Sequence, residues 1–207
     1  MTSTAAELAR VVGAIRACRH CVEAPQGKAL PHEPRPVLRA SATARLAVCS
    51  QAPGTRVHLS GTPFTDRSGD RLRDWMGVTP AEFYDEARVT IVPMGFCFPG
   101  QDEKGGDLPP RRECAALWHR RLFAALPEIE LVLAVGSYAQ SFHLGDAAGR
   151  SLQETMLEWR RHLRQKQGRR VLPLPHPSWR NNAWLTRNPW FEAELLPVLR
   201  REVRKLL

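Results

Sequence analysis

Four short apolar runs, residues 46–49, 89–92, 131–135 and 171–174, constrain this chain more than any other feature. Each is strand-length and bounded by Gly, Pro or Ser. Between them, apolar spacing predicts helices over residues 70–76, from Thr79 to about Glu86, and over 110–126, 137–144 and 152–167. The second opens on a Thr79/Glu82 capping box, and a helix over 190–206 closes the chain. Strands that alternate with helices predict a three-layer α/β/α fold around a mainly parallel four-stranded sheet. Ahead of it, Leu8, Val11, Val12 and Ile15 predict an amphipathic helix over residues 5–21. An extended, proline-rich surface connector over 25–36 follows.

The 207 residues suffice for one domain, expected to span 1–207, with the helix, C-x-x-C and connector filling residues 1–44. Thirty basic against 21 acidic residues give a net charge of +9, which favours a polyanionic partner. The excess of Arg (26) over Lys (4) also has a plainer reading, codon bias in a high-GC genome. No stretch approaches the roughly 20 apolar residues of a membrane span, and residues 1–10 do not read as a secretory signal. A cytoplasmic protein without membrane contact is expected.

Five cysteines in a reducing compartment are poor disulfide candidates. Cys18 and Cys21 form a C-x-x-C, and Cys97 and Cys114 are separated by sixteen residues. Two pairs of thiolates point to a closed metal or iron–sulfur site, with unrelated buried thiols as the alternative.

In such folds ligands bind beyond the carboxyl ends of the strands. Three strands are followed there by unusual loops, 50–69, 93–110 and 175–189. In the first, Ala52, Pro53 and Gly54 allow backbone amides close to a ligand, and Phe64 offers a stacking face. Asp66 and His58 offer proton chemistry, and Arg67, Arg71 and Arg73 offer phosphate contacts. The plainer reading makes Asp66 or Ser68 a helix cap. In the last loop, His176 is pinned between two prolines, which suits a neutral donor to an oxyanion. Trp179, Arg180 and Trp184 suit packing against nucleotides. Alternatively, Trp179, Trp184 and Trp190 are lid aromatics and His176 is structural.

Taken together, Ser50-Gln51-Ala52-Pro53-Gly54 and His176-Pro177-Ser178 resemble the paired strand-end motifs of the uracil-DNA glycosylase superfamily. Gly61-Thr62-Pro63-Phe64 is similar to its segment bearing the base-stacking Phe. The resemblance runs from Cys18 to about Asn182. It implies base binding by Gln51, Ala52 and Phe64, and DNA contacts by Trp179, Arg180 and Arg67. The cysteine spacing resembles that of the iron–sulfur branches, families four and five. This implies a [4Fe-4S] cluster on Cys18, Cys21, Cys97 and Cys114, with zinc as the lesser occupant and Cys49 left in the core.

Family four carries a catalytic Glu where Gln51 stands, and a uracil-reading Asn where Pro93 stands. Phe64-Thr65-Asp66-Arg67-Ser68-Gly69 and His176-Pro177-Ser178-Trp179-Arg180-Asn181 are nearer the family five segments, with one Gly fewer before Asp66. The implied catalytic set is therefore Asp66, His176 and Asn181. Asp66 would position water and stabilise the sugar cation, His176 would donate to the departing base, and Asn181 would help hold the water. The implied function is a monomeric glycosylase that excises uracil or another deaminated base, such as hypoxanthine, from DNA. Two other classes are carried beside it: a glycosylase fold that binds DNA without cleaving, and a zinc-dependent nucleic-acid adaptor.

Overall fold

A computed structural model describes residues 3–165 and 168–207. Its framework is one sheet of four parallel strands in the order β2-β1-β3-β4. These are β1 (Leu46–Cys49), β2 (Val89–Ile91), β3 (Leu131–Val135) and β4 (Arg170–Leu174). Every residue of β1, β2 and β3 is buried, as expected when both faces of a parallel sheet are covered. The two-residue period of a strand divides these residues cleanly. Leu46, Val48, Leu131, Leu133 and Val135 enter one core, whereas Ala47, Cys49, Val132 and Ala134 enter the other.

Helices α1 (Ser3–Arg16), α2 (His20–Glu23), α3 (Thr55–Ser60), α4 (Arg67–Met76) and α5 (Pro80–Phe83) lie in the first half. The second half adds α6 (Arg112–Ala124), α7 (Ser137–Leu144), α8 (Leu152–Leu157), α9 (Trp159–Leu163), α10 (Asn182–Arg187) and α11 (Leu196–Arg204). The first core takes Leu72, Trp75 and Met76 from α4, Met156 and Trp159 from the α8–α9 pair, and Leu199 and Val203 from α11. The second takes Leu8, Val11 and Ile15 from α1, Leu122 and Phe123 from α6, and Ala139 and Leu144 from α7. The three-layer expectation holds, and the sheet is parallel throughout.

Several expected boundaries shift. The first helix ends at Arg16, so Cys18 precedes α2 and only Cys21 lies within it. The helix expected over 152–167 is broken at Glu158, and its last two residues lie outside the described ones. The closing helix begins with a π-helical turn, Phe191–Leu195, ahead of α11. Pro197 has no N–H for a carbonyl one turn back, and the wider turn accommodates that lost bond. The connector does more than cross the surface. Leu30 N–H donates to the Cys21 carbonyl (3.0 Å), Arg111 to the Lys28 carbonyl, and Leu30 is buried. Among the described residues, no helix is long and apolar enough to cross a membrane.

Candidate active site

The sheet order reverses between β1 and β3, and the chain beyond their carboxyl ends forms an open cleft of about 570 Å³. The segment after β2 keeps tracking β1 beyond the sheet. Met94 N–H donates to the Ser50 carbonyl (2.7 Å) and Gly95 N–H to that of Gln51 (3.0 Å). This sets Pro93 into the cleft wall beside Ser50, Ala52, Pro53 and Gly54. The remaining wall includes Phe64, Asp66, Asp107 and His176. Three loops well separated in sequence thus meet where the fold predicts a ligand.

Phe64 is held in an unusual state. Its φ is +57°, the left-handed region that a bulky residue rarely occupies. Two donors fix its carbonyl, Arg73 Nη1 at 3.1 Å and the Tyr84 hydroxyl at 3.0 Å, and its ring packs edge-on against Phe83. Gly69 completes the clamp, because a β-carbon there would stand 1.9 Å from the Phe64 carbonyl oxygen. Such strain persists only where surrounding contacts over-determine it, and here it sets one aromatic ring in the cleft wall.

Asp66 is both a cap and a cleft residue. Its Oδ1 accepts from Gly69 N–H (3.1 Å) as the N-cap of α4, and the side chain lines the cleft. The capping and functional readings of Asp66 are therefore compatible. His176 lies two residues past β4. Gly136 N–H and Gln140 Nε2 both donate to the Leu174 carbonyl, at 2.9 and 2.8 Å, which anchors the loop just before it. Ser178 N–H donates to His176 Nδ1 (3.2 Å), so a neutral ring carries its proton on Nε2. Burial pushes the imidazole's proton affinity down, while Asp66 pulls it upward, Arg180 downward and Asp107 upward. The balance favours a neutral ring at neutral pH.

Four residues make contacts other than those expected. Asn181 does not line the cleft; its Nδ2 donates to the His176 carbonyl (2.7 Å), so it braces the loop where a water contact was expected. Arg73 is buried against Phe83 and Tyr84, and its guanidinium serves Phe64 instead of a phosphate. Arg71 donates to Asn182 Oδ1 (2.8 Å), linking α4 to α10. Gln51 contributes its backbone carbonyl to Gly95, and it is Ala52 that lines the cleft. Trp179 is 73% exposed with the Arg180 guanidinium over its ring, and Arg67 is exposed at the start of α4. His58 packs against His32 and Phe98 beside the cleft, and burial lowers its proton affinity. Asp107 was not anticipated, since its loop carries no familiar motif.

A second cavity, of about 360 Å³, is lined by Cys18, Cys21, Cys97 and Cys114 together with Ile15, Pro34, Pro36, Phe96 and Trp118. Burial pushes the Cys97 and Cys114 thiols up to about 12, and also raises that of Cys21. Phe96 N–H donates to Cys114 Sγ (3.4 Å), and the Arg35 backbone donates to Cys97. Among the described residues, no three His, Cys, Asp or Glu side chains are arranged to hold a metal ion. The four thiols line this one cavity, a donor set that fits a cluster ligated by four thiolates. Cys49 is fully buried in the second core, away from this cavity.

The family model of the uracil DNA glycosylase superfamily matches residues 39–200. That span contains the whole sheet and both strand-end loops that frame the cleft. With most of the chain matched and the cleft at the expected end of the sheet, the protein belongs to the uracil DNA glycosylase superfamily.

Proposed function

We propose that this protein is a DNA glycosylase that extrudes uracil or another deaminated base and hydrolyses its N-glycosidic bond. The observation that carries the reading is His176: a half-buried, neutral imidazole lining the cleft, with Nδ1 occupied by Ser178 and its proton on Nε2. The target atom is out of reach within a duplex, and unstacking costs a few kcal/mol, least for a mismatched base. Trp179 and Arg180, exposed at the rim, fill the vacated stack, and Arg67 contacts phosphate.

The extruded base stacks on Phe64, with the Ala52 backbone at its edge. As the glycosidic bond stretches, the sugar gains positive charge and the base negative charge. His176 Nε2–H donates to the departing base oxygen. Asp66 stabilises the sugar cation and orients the water that completes hydrolysis. The products are the free base and an abasic site. Asn181 acts through His176 by holding its loop.

In this reading Cys18, Cys21, Cys97 and Cys114 hold a [4Fe-4S] cluster, placing the chain in an iron–sulfur branch nearer family five. Bound there, the group supplies a cross-link among α2, the segment around Cys97 and α6, with no part in bond cleavage.

Single-turnover assays with anaerobically purified protein on uracil, hypoxanthine, xanthine and undamaged oligonucleotides test the function. Release of a damaged base, reduced at least a hundredfold by Asp66→Ala with DNA binding intact, is expected. Binding of DNA without release of any base would favour the non-cleaving binder. A brown protein with about four irons per chain is expected; a colourless one with stoichiometric zinc would replace the cluster with the adaptor reading.

A further inference from the structure

We propose that Asp107 is a specificity-determining residue that accepts a ring N–H from the extruded base, a group that uracil and hypoxanthine carry and that cytosine and adenine lack. The inference rests on the glycosylase reading above. Asp107 ends a short hairpin in which Gln101 and Asp107 form an antiparallel bridge. Asp102 Oδ1 ties the turn by accepting from Lys104 N–H (2.9 Å) and Gly106 N–H (2.8 Å). Gln101 Nε2 donates to Asp107 Oδ1 (3.3 Å), which directs the carboxylate into the cleft opposite the first loop. Oδ2 lies so near that loop that a β-carbon on Gly54 would stand 3.0 Å from it. Among the described residues, no Lys, Arg or His forms an ion pair with Asp107.

An ionised carboxylate only accepts hydrogen bonds. Cytosine N3 and adenine N1 present lone pairs, whereas the same atoms of uracil and hypoxanthine carry hydrogen. A parent base would therefore set a lone pair against the carboxylate and leave it unpaired, whereas the deaminated base satisfies it. Sites built to hydrogen-bond one group discriminate strongly against analogues without it. The Pro93 wall offers no side-chain donor or acceptor for this reading, and Asp107 supplies an acceptor to the same cleft. Thymine and guanine also carry the N–H, so the contact separates uracil from cytosine and hypoxanthine from adenine only.

The test compares oligonucleotides containing uracil and 3-methyluracil, which lacks the N–H, by single-turnover release and by equilibrium binding. The wild-type protein is expected to favour uracil by at least about a hundredfold in release. Asp107→Ala should shrink that ratio at least tenfold, whereas Asp107→Asn, which retains an oxygen acceptor, should keep most of it. An unchanged ratio in Asp107→Ala, or no wild-type preference by either readout, overturns the proposal. If the wild-type protein releases no base, the glycosylase reading fails separately. The ratio of dissociation constants, and its response to the two variants, then decides the Asp107 contact alone.

Discussion

The strand-end cleft and the cysteine cavity share one wall and differ in what surrounds it. From that wall Pro93 lines the cleft, whereas Phe96 and Cys97 line the cavity. The cleft is open and carries Ser50, Asp66, Asp107 and His176 beside an aromatic ring. The cavity presents four thiols among apolar and proline side chains, under the connector. Polar groups at an open rim suit a ligand that arrives and leaves. Cys21, Cys97 and Cys114, whose proton affinity burial raises, suit a permanent resident that supplies compensating charge. His119 joins the two regions: it lies on α6 five residues after Cys114, and its Nε2 meets the Pro93 carbonyl at 3.1 Å.

Substitutions that act on one region should spare the other. The largest effect is expected from His176→Ala, which should slow base release by 10²–10³, about 3–4 kcal/mol of barrier. Thermal unfolding and iron content should stay unchanged; an equal loss of iron would break the separation of the two regions. The next effect falls on the shared wall. Burial holds His119 down to about 4, below the ordinary 6.5, so the unfolded chain binds that proton more readily. This stability is present above about pH 6.5 and is lost as pH falls toward 4, by about 3 kcal/mol. Urea unfolding across that window should show the slope, and His119→Gln should remove its share, leaving that of His143, which burial holds down to about 3.

A third substitution probes the Phe64 clamp. Gly69→Ala should destabilise the fold by about 1–3 kcal/mol and slow release together, because the added carbon displaces the Phe64 carbonyl. Loss of stability with release unchanged would show that the strained Phe64 geometry is not needed by the cleft. The smallest effect belongs to Thr79→Ala, which lines neither the cleft nor the cysteine cavity. It removes a complete capping box with Glu82 and should cost about 1 kcal/mol of stability without altering release or iron.

The strands were legible to within a residue because each is a largely apolar run that the cores require. Helix ends were less legible. α3 lies within a Gly- and Pro-bounded loop and buries no residue completely, so periodicity leaves no trace of it. The π-helical turn before Pro197 reflects a missing backbone donor that apolar spacing does not register. In the site, Asp66, Phe64 and His176 were legible because they sit at strand-end loops. Asn181 was placed nearby, but its bond to the His176 carbonyl depends on the local 3-10 turn over Trp179–Asn181. Asp107 reaches the cleft only through its hairpin. The four cysteines were legible as two pairs, and the fold brings both pairs to one cavity.

The leaving-group role of His176 is the most direct test of the account. Single-turnover release should be measured for uracil and its 5-fluoro analogue, whose anion departs more readily, with wild-type protein and His176→Ala. The account expects the variant to lose far more on uracil than on the fluorinated base, because the donor matters most where the base leaves poorly. Equal losses on both bases would contradict it.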